Sequence, residues 1–312
     1  MAVQNVYDNV LIVGGGLIGS SIARACREFG AAKQVTIADT NADVRSSLNG
    51  LEICDEVTET ADPSDADLVI LAVPPGSISS VAATLLPHMK EGATMTDVGS
   101  VKANVVEKIT AILPEGISFI GGHPIAGTEQ SGPEAGFASL FTDRWCILTP
   151  HNNQVDETAP AAQKLKQFWQ AVGSRVAFMD AKHHDLVLAT TSHLPHLIAY
   201  ALVGTATDME TVTRGEVVKY SAGGFRDFTR IAASDPVMWR DVFLQNKDAV
   251  LDVLGRYIED LSALKKAVRW GDGETLLKEF TKTRDIRTRI IDAGQDSAEP
   301  NFGRDISGDE EE

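Results

Sequence analysis

Two hydrophobic spacings alternate along the first half of the chain. Short apolar runs, typical of buried strands, end in glycine, proline or small polar residues, and the segments between them carry apolar residues at helical spacing. The predicted strands are NVLIVGG, QVTIADT, DLVILAVPP, ATMTDVGS, SFIGGHPI, 145–149 and 175–178, and 157–172 is a predicted helix. Because strands that alternate with helices form parallel sheets with right-handed crossovers, we expect an α/β fold with a doubly wound parallel sheet.

The second half of the chain carries a different pattern. After about residue 180 the strand pattern stops, and helical spacing follows at roughly 183–210, 225–233, 236–270 and 273–293. The last residues are polar and acidic, a composition that cannot bury enough apolar surface to fold. We therefore predict an α/β domain over 1–180, an all-α domain over 181–296 and an acidic disordered tail over 297–312.

The first helix of the second half contains a proline within HLPHLIAYAL. Pro195 lacks a backbone donor, and its ring clashes with the carbonyl of Thr191, so a kink is predicted. A kink exposes backbone groups and can open a cavity. His193 and His196 flank this position and are candidates for lining it.

Composition narrows the classes of partner. The chain has 312 residues and a formal net charge of −16, and its surface should repel nucleic acid and anionic membranes. Neither is an expected partner. Cys26, Cys54 and Cys146 are widely spaced and show neither metal spacing nor a disulfide framework. With no signal peptide and no long apolar run in the sequence, we expect a cytoplasmic protein.

A glycine motif lies between the first predicted strand and the first predicted helix. The motif is G-x-G-x-x-G, and its residues are Gly14, Gly16, Leu17, Ile18 and Gly19. The three glycines allow a tight turn, a close approach of pyrophosphate to the backbone, and close packing of helix on strand. Because the motif has this strand–helix context, it predicts a Rossmann-type dinucleotide-binding domain.

The next strand ends in the residue that should select the dinucleotide. Asp39 lies 20 residues after Gly19, where an acidic side chain accepts a hydrogen bond from the ribose 2′-hydroxyl and repels a 2′-phosphate. Thr40 and Asn41 offer no cation for a phosphate, although Arg45 is close in sequence. NAD is therefore the expected cofactor, with NADP the less favoured alternative.

Three later strands should deliver residues to the same end of the sheet. Val73 and Pro74 end one strand, Ser100 follows the next, and His123 ends the third within GGHPIAGTE. An imidazole held there over a nicotinamide, with an ordinary pKa of about 6.5, suits a base that takes a hydroxyl proton. Two simpler interpretations stay open: Ser100 as a helix N-cap, and His123 satisfied by local backbone.

A second polar cluster occurs in the helical half. GGFRDFTR places Arg226 and Arg230 four residues apart, on one face of a predicted helix. The planar guanidinium matches a carboxylate, although a solvated salt-bridge face is the alternative. Trp239 follows nine residues after Arg230, and it suits a pocket wall or core packing equally well.

These motifs together resemble the prephenate/arogenate dehydrogenase family (the TyrA type) of tyrosine biosynthesis. The matching stretches are GGGLIGSSIARA, DVGSVK, GGHPIAGTE, SHLPHLIAYAL and GGFRDFTRIAASDPVMWRDVFLQN, in order over residues 14–246. The resemblance implies a dinucleotide-binding domain followed by an all-α dimerisation domain, a homodimer, and an active site between the domains. It also implies NAD-dependent oxidative decarboxylation of prephenate, arogenate or both.

The resemblance assigns roles residue by residue. His123 matches the catalytic base, Ser100 its hydrogen-bond partner at the ring hydroxyl, and Arg230 the arginine that holds the ring carboxylate. These three supply the proton acceptor and the carboxylate clamp of the reaction. The ring ketone formed by oxidation is a vinylogous β-keto acid, which loses carbon dioxide without a metal, and no metal cluster is predicted.

Five further residues match the surroundings of the substrate in that family. His196 matches a substrate-contacting histidine and Trp239 a pocket aromatic, while Glu129 and Asp227 match an ionic network at the pocket mouth. Arg226 stands where the family often has lysine, so the positive charge is retained, and Glu129 is its expected partner. Tyrosine, which shares most of the substrate's shape, is a plausible feedback inhibitor.

Two alternatives compete with this assignment. Another two-domain NAD(P)-dependent enzyme, of the β-hydroxyacid dehydrogenase or imine reductase type, shares the layout but typically places its acid/base residue in the helical domain. A non-catalytic NAD-binding regulator is the second alternative, and the presence of a candidate base and a candidate clamp disfavours it. The sequence leaves open whether the substrate is the keto acid prephenate or the amino acid arogenate.

Overall fold

The computed structural model describes most of the chain. Contacts divide it into two units, Met1–Val253 and Leu254–Glu312. Glu129 and the predicted acidic tail over 297–312 lie outside the described residues. The described residues are 5–128, 130–150, 158–213 and 223–292.

A single mixed sheet organises the first unit. Its order among the described strands is β3-β2-β1-β4-β5-β6-β7-β8, and every neighbouring pair is parallel except β6 and β7. This order, with β1 beside both β2 and β4, is the doubly wound arrangement that the alternation predicts. The strands are β1 (Tyr7–Val13), β2 (Ala32–Ala38), β3 (Glu56–Thr58), β4 (Leu68–Leu71), β5 (Thr94–Asp97), β6 (Ser118–Pro124), β7 (Trp145–Pro150) and β8 (Arg175–Phe178).

Two features of the sheet differ from the prediction. The three-residue strand β3 was not predicted, and β7 runs antiparallel to β6, with His123 opposite Ile147. A parallel neighbour requires a crossover connection, usually helical. Between β6 and β7 the described chain has only one short 3₁₀ turn, Ala138–Phe141, so it returns directly and reverses direction.

Helices cover both faces of the sheet. One face packs around Ile12, Ile22 and Trp169, and the other around Leu71, Met95 and Val105. This burial explains the nearly continuous apolar runs of the central strands. The helices of this region are α1 (Leu17–Phe29), α2 (Ala42–Leu51), α3 (Ile78–Leu85), α4 (Ala103–Thr110) and α5 (Pro160–Ala171).

The helix predicted over 183–210 is interrupted. It consists of α6 (Ala181–Leu188), a π-helical turn (Ala189–His193) and α7 (Leu194–Thr213). The π turn ends two residues before Pro195, where proline cannot supply the regular hydrogen bond to Thr191. At the position of the predicted kink, the structure therefore has a π-helical turn.

The same stretch passes a composition test for a membrane span. Ala181–Asp208 is long and apolar enough to cross a membrane by length and composition alone. In the structure it carries the buried polar residues His184, Asp185 and His193, and α6 contacts α4 and β7. The α6 part of the stretch therefore packs against the sheet and its helices.

The later helices also break where one long helix was expected. The 225–233 region is α8 (Gly223–Thr229) followed by a 3₁₀ turn (Arg230–Ala233). The helix predicted over 236–270 divides at Asn246 into α9 (Pro236–Gln245) and α10 (Lys247–Trp270). The Asn246 side chain is buried and bonds to the main chain of Asp185, so the break serves a tertiary contact.

The second unit contains most of α10 and the helix α11 (Gly273–Asp292). Its described part shows many large apolar side chains to solvent. Trp270 is 75% exposed and Leu277 is 69% exposed. The others are Ile258, Leu261, Val268, Phe280 and Ile286.

The glycine turn after β1 packs without room for side chains at two positions. Gly14 has a φ of 104°, and a Cβ there would overlap the carbonyl of Ala72. A Cβ on Gly19 would overlap the carbonyl of Gly14. In contrast, nothing lies within 4 Å of a Cβ built on Gly16. The first and third glycines of the motif thus serve the fold, and the middle one faces open space.

This difference gives a stability prediction. Gly19→Ala should lower the free energy of unfolding by about 2 kcal/mol or more, because the backbone of Gly14 must move. Gly16→Ala is the control and should cost about 1 kcal/mol or less, the scale of an N-cap change. Chemical denaturation of both variants measures this. Equal losses would contradict the packing roles assigned to the two glycines.

Candidate active site

The candidate site lies at the carboxyl ends of the parallel strands. Leu71 pairs with Asp97, and Thr96 pairs with Ile120. The segments that follow β4, β5 and β6 therefore emerge at the same end of the sheet as the glycine turn after β1. Val73 and Pro74 follow β4, Ser100 follows β5, and His123 is the second-last residue of β6 itself. These residues lie at this end of the sheet, as the alternation of strands predicts.

His123 is buried in a chain of hydrogen bonds. Only 8% of the residue is exposed. Its Nδ1 lies 2.8 Å from Nε2 of His184, and Nδ1 of His184 lies 2.9 Å from Oδ1 of Asp185. The simpler interpretation, a histidine satisfied by local backbone, is wrong, because the partner of the ring is a side chain 61 residues away.

Burial changes the proton affinity of this histidine. Loss of solvation lowers the pKa of His123 well below 6.5. The positive charge of Lys102 lowers it further, as do His184 and His193 when they are protonated. Burial also lowers the pKa of His184, with Asp185 acting in the opposite direction. The ordinary pKa expected for His123 is therefore corrected: the imidazole is neutral over a wider pH range.

A buried ion pair fixes the strand that carries His123. Lys102 Nζ pairs with Asp97, and neither side chain is exposed. Lys102 also donates to the Gly122 carbonyl at 2.7 Å, and Asp97 accepts from the Gly99 amide at 2.9 Å. These bonds join the ends of β5 and β6.

Ser100 does not cap the helix that follows it. The N-cap of α4 is Lys102, with no capping bond from its own side chain. The amides of Lys102 and Ala103 instead donate to the two carboxylate oxygens of Asp185, at 2.8 and 2.9 Å. The N-cap interpretation of Ser100 is thus wrong. The ring hydrogen bond of His123 goes to His184, so contact of Ser100 with His123 stays a prediction.

Asn246 joins two parts of the site. Its side-chain amide donates to the carbonyl of Asp185 at 2.8 Å and lies 3.1 Å from Nδ1 of His193. His193 is fully buried, and burial is the main cause that lowers its pKa to about 4. An imidazole with this pKa is neutral at physiological pH and acts as a hydrogen-bonding group.

His196 and Trp239 form an aromatic wall. Their rings stack, with centroids 3.6 Å apart and planes 23° from parallel. Nδ1 of His196 lies 2.8 Å from the carbonyl of Ser192, which orients the ring. Trp239 is 6% exposed and also packs on Phe243. The core-packing interpretation of Trp239 is confirmed, and its role as a pocket wall stays a prediction.

The arginine cluster lies on the surface of the described chain. Arg226 is exposed and forms an ion pair with Asp227 at 3.3 Å, and Arg230 begins the 3₁₀ turn after α8. That turn packs on α7, where the Tyr200 hydroxyl donates to the Ser234 carbonyl at 2.8 Å. The proposed pairing of Arg226 with Glu129 lies outside the described residues.

The glycine turn has the features of a dinucleotide cradle. Asp39 accepts from the amides of Gly15 and Asn41, each at 2.8 Å, so its carboxylate is held at the end of β2. Arg45 donates to the Asp39 carbonyl at 2.9 Å and pairs with Glu59 at 3.5 Å. The open space at Gly16 and the uncapped start of α1 fit a pyrophosphate.

Four residues that support His123 or its strand were not predicted from the sequence. Asp97 and Lys102 lie within the DVGSVK stretch, and His184 and Asp185 lie in a short helix start, KHHDL. The available signal was charge inside otherwise apolar elements, since buried charges require partners. Their pairing depends on contacts between residues far apart in the chain, which a single sequence does not reveal.

Comparison with known proteins gives a consistent assignment. Residues 22–178 match the family model described as prephenate dehydrogenase, nucleotide-binding domain, and residues 180–282 match prephenate dehydrogenase, dimerization domain. A cyclohexadienyl dehydrogenase of Zymomonas mobilis is 42% identical over 92% of this chain and 97% of its own length. A prephenate dehydrogenase of Bacillus subtilis is 34% identical over 91% of this chain and 76% of its own.

Solved structures agree with these sequence matches. Prephenate dehydrogenase from Aquifex aeolicus, in complex with hydroxyphenyl propionate and NAD⁺, is 38% identical. It superposes with a TM-score of 0.83 over 91% of this chain and 98% of its own. The arogenate dehydrogenase of Synechocystis is 25% identical, with a TM-score of 0.75 over 90% and 99% of the two chains. From its sequence, its fold and its relatives, this chain belongs to the prephenate dehydrogenase family.

Proposed function

We propose that this enzyme catalyses the NAD-dependent oxidative decarboxylation of a cyclohexadienol, with prephenate, arogenate or both as substrate. The observation that carries the proposal is the placement of His123. It is a buried, neutral imidazole at the carboxyl end of the sheet, and its Nδ1 is engaged by His184. Its other ring nitrogen is therefore the one available to a substrate hydroxyl.

The reaction requires a proton acceptor, a hydride acceptor and a group that holds the ring in place. His123 takes the proton of the ring hydroxyl, with Ser100 as a second hydrogen-bonding group at that hydroxyl. NAD, held by the glycine turn and Asp39, would supply the hydride acceptor for the carbon that bears the hydroxyl. The ring ketone is conjugated through the ring double bonds with the carbon on the opposite side of the ring. The carboxylate on that carbon leaves as carbon dioxide, and the aromatic product forms. The protein must therefore hold the ring so that the proton leaves the hydroxyl oxygen while the hydride leaves the carbon that bears this hydroxyl.

Arg230 is the proposed clamp for the ring carboxylate. Its 3₁₀ turn packs on α7, which also carries His196. The stacked His196 and Trp239 supply a flat apolar surface suited to a ring. The indole N–H of Trp239 is buried without a partner among the described residues, so it suits a polar group of the substrate. Arg226, Asp227 and Glu129 are the proposed ionic network at the pocket mouth.

The proposed cofactor preference follows from the end of β2. Asp39 presents its carboxylate beside the glycine turn, where it suits a ribose 2′-hydroxyl. Arg45, the cation nearest in sequence, is bonded to the Asp39 carbonyl and to Glu59. Both features favour NAD over NADP.

We further infer a homodimer in the cytoplasm. Residues 180–282 match a dimerization domain, and the exposed apolar side chains of α10 and α11, such as Leu277 and Phe280, need a cover. A two-fold contact is the commonest form of such a cover. Tyrosine, which resembles the substrate in shape, is proposed as a feedback inhibitor.

Asp39 provides a test of cofactor choice. Asp39→Ala should raise the KM for NAD and lower the KM for NADP, because the ribose acceptor and the charge that repels the phosphate are both lost. Steady-state kinetics with each dinucleotide measure the ratio. An unchanged NAD/NADP ratio would show that Asp39 does not contact the ribose.

His123 provides a test of the base. His123→Ala should lower kcat by about 100- to 10,000-fold with little change in KM, the usual contribution of general-base catalysis. In the wild type, kcat should stay constant as pH falls through about 6.5 and decrease only at lower pH, because the pKa of His123 is depressed and the neutral form persists. A variant with near-normal kcat would remove His123 from the mechanism.

Arg230 provides a test of substrate binding. Arg230→Ala should raise the KM for the cyclohexadienol by roughly ten- to a hundredfold, because the charged hydrogen bond to the carboxylate is lost. Arg230→Lys should raise it less, because lysine keeps the positive charge and loses the planar pair of N–H donors. The KM for NAD should stay close to the wild-type value. Arg226→Ala is the matched control, since Arg226 pairs with Asp227. A larger effect from Arg226→Ala than from Arg230→Ala would overturn the clamp assignment.

A further inference from the structure

We propose that His184 and Asp185 are positioning residues that set the tautomer of His123 and thereby make its Nε2 the proton acceptor. This inference rests on the proposed function, in which His123 is the base. It adds two residues, from the start of α6, that do not themselves touch the substrate. Their role is to decide which nitrogen of His123 carries the resting proton.

The three groups form one continuous line of hydrogen bonds inside the protein. The distances are 2.8 Å between the rings of His123 and His184, and 2.9 Å between His184 and the Asp185 carboxylate. The two rings meet edge to face, with centroids 5.1 Å apart. His184 is fully buried and Asp185 is 4% exposed. Water therefore does not compete for these bonds.

The positions of the protons follow from the acceptor at the end of the line. Besides His184, the Asp185 carboxylate accepts from the main-chain amides of Lys102 and Ala103. Each of its two oxygens already accepts a main-chain N–H, and an ionised carboxylate acts only as an acceptor. Nδ1 of His184 must therefore carry hydrogen. A neutral His184 then has its lone pair on Nε2, the atom that faces His123.

The tautomer of His123 follows from that of His184. Two lone pairs cannot face one another at 2.8 Å, so Nδ1 of His123 carries hydrogen and donates it to His184. In the neutral imidazole only one nitrogen is protonated, which leaves Nε2 of His123 with a free lone pair. This is the tautomer that a base needs. A carboxylate that orients a catalytic imidazole in this way is the logic of the Ser-His-Asp triad, extended here by one histidine.

The line also stabilises the proton once it has been taken. The substrate O–H bond breaks, an N–H bond forms at Nε2 of His123, and the resulting imidazolium keeps its Nδ1 bond to His184. The charge of Lys102 opposes this imidazolium, and so does His193 when it is protonated. Asp97 pairs with Lys102, and Asp185 is bonded to His184, so each carboxylate offsets positive charge near His123. After the reaction the proton leaves His123 for solvent.

Other contacts hold the line in register. Asp185 caps α4 through the two amides, and its carbonyl accepts the Asn246 amide at 2.8 Å. The carboxylate of Asp185 is thus bonded by the start of α4 and by His184 of α6, and its main chain is bonded by the junction of α9 with α10. Such tight support is typical of residues that orient a functional group.

The test uses His184→Phe in the full-length protein, because phenylalanine keeps the ring and removes the acceptor. We expect kcat to fall by about ten- to a hundredfold, the loss of one hydrogen bond to a charged group. KM for substrate and NAD should stay near wild type. The acidic limb of the kcat profile should also move to lower pH, because the imidazolium of His123 loses a partner. A purely structural role would not move that limb.

Two further variants separate loss of the hydrogen-bond acceptor from a general effect of the substitution. His184→Gln restores an oxygen acceptor for Nδ1–H of His123 and should recover part of kcat. His183→Phe makes the same change one residue earlier, at an exposed position, and should leave kcat unchanged. Recovery in the glutamine variant supports the proposal. Equal losses in the phenylalanine and glutamine variants of His184 overturn it.

A direct readout does not depend on activity. ¹⁵N chemical shifts of the His123 ring in the wild-type protein should show hydrogen on Nδ1 and none on Nε2 at neutral pH. The opposite tautomer overturns the proposal, even if His184→Phe fails to fold. Retention of full kcat by His123→Ala would instead refute the proposed function. A large loss in His123→Ala, combined with normal kcat and an unmoved acidic limb in His184→Phe, would refute only the positioning role.

Discussion

The buried ion pair between Lys102 and Asp97 is the interaction on which the site depends. Neither side chain reaches solvent, and breaking such a pair typically costs about 3–5 kcal/mol because the remaining charge has no partner. The pair also holds the Gly122 carbonyl and the Gly99 amide. It therefore fixes the end of β6 against β5, one residue before His123. The base is held by the sheet itself rather than by a loop.

The main chain of Lys102 continues this arrangement into the helical part of the first unit. The amide of Lys102 donates to Asp185 of α6. Along the chain, α6 leads into the π turn and then into α7, which carries His196. The same short segment after β5 thus contacts the strand of the base and the helix of its hydrogen-bonding partner. A shift in this segment would displace both together, so their relative geometry is preserved. The buried charges of Lys102, Asp97 and Asp185 are tolerated in this apolar interior because each one has hydrogen-bond partners.

How much the sequence reveals depends on whether a feature is local. The glycine turn and Asp39 could be predicted because glycine spacing and strand ends are written in consecutive residues. His123 could be placed at a strand end for the same reason. The antiparallel β7 was missed because direction depends on the path of the chain between strands. His184 and Asn246 were missed because their partners lie 61 residues away in each case.

The π turn at Ala189–His193 sets which way the later histidines face. In a regular helix each residue turns by about 100°, so His193, nine positions after His184, would lie on the opposite side of the helix. A π turn advances more slowly, which removes about a quarter of a rotation. The π turn thus sets the rotation between α6, which supports the base, and α7, whose His196 stacks on Trp239. Relatives that keep the base but change the length of this turn would present a different wall to the same chemistry, a route by which one catalytic centre can serve substrates of different shape.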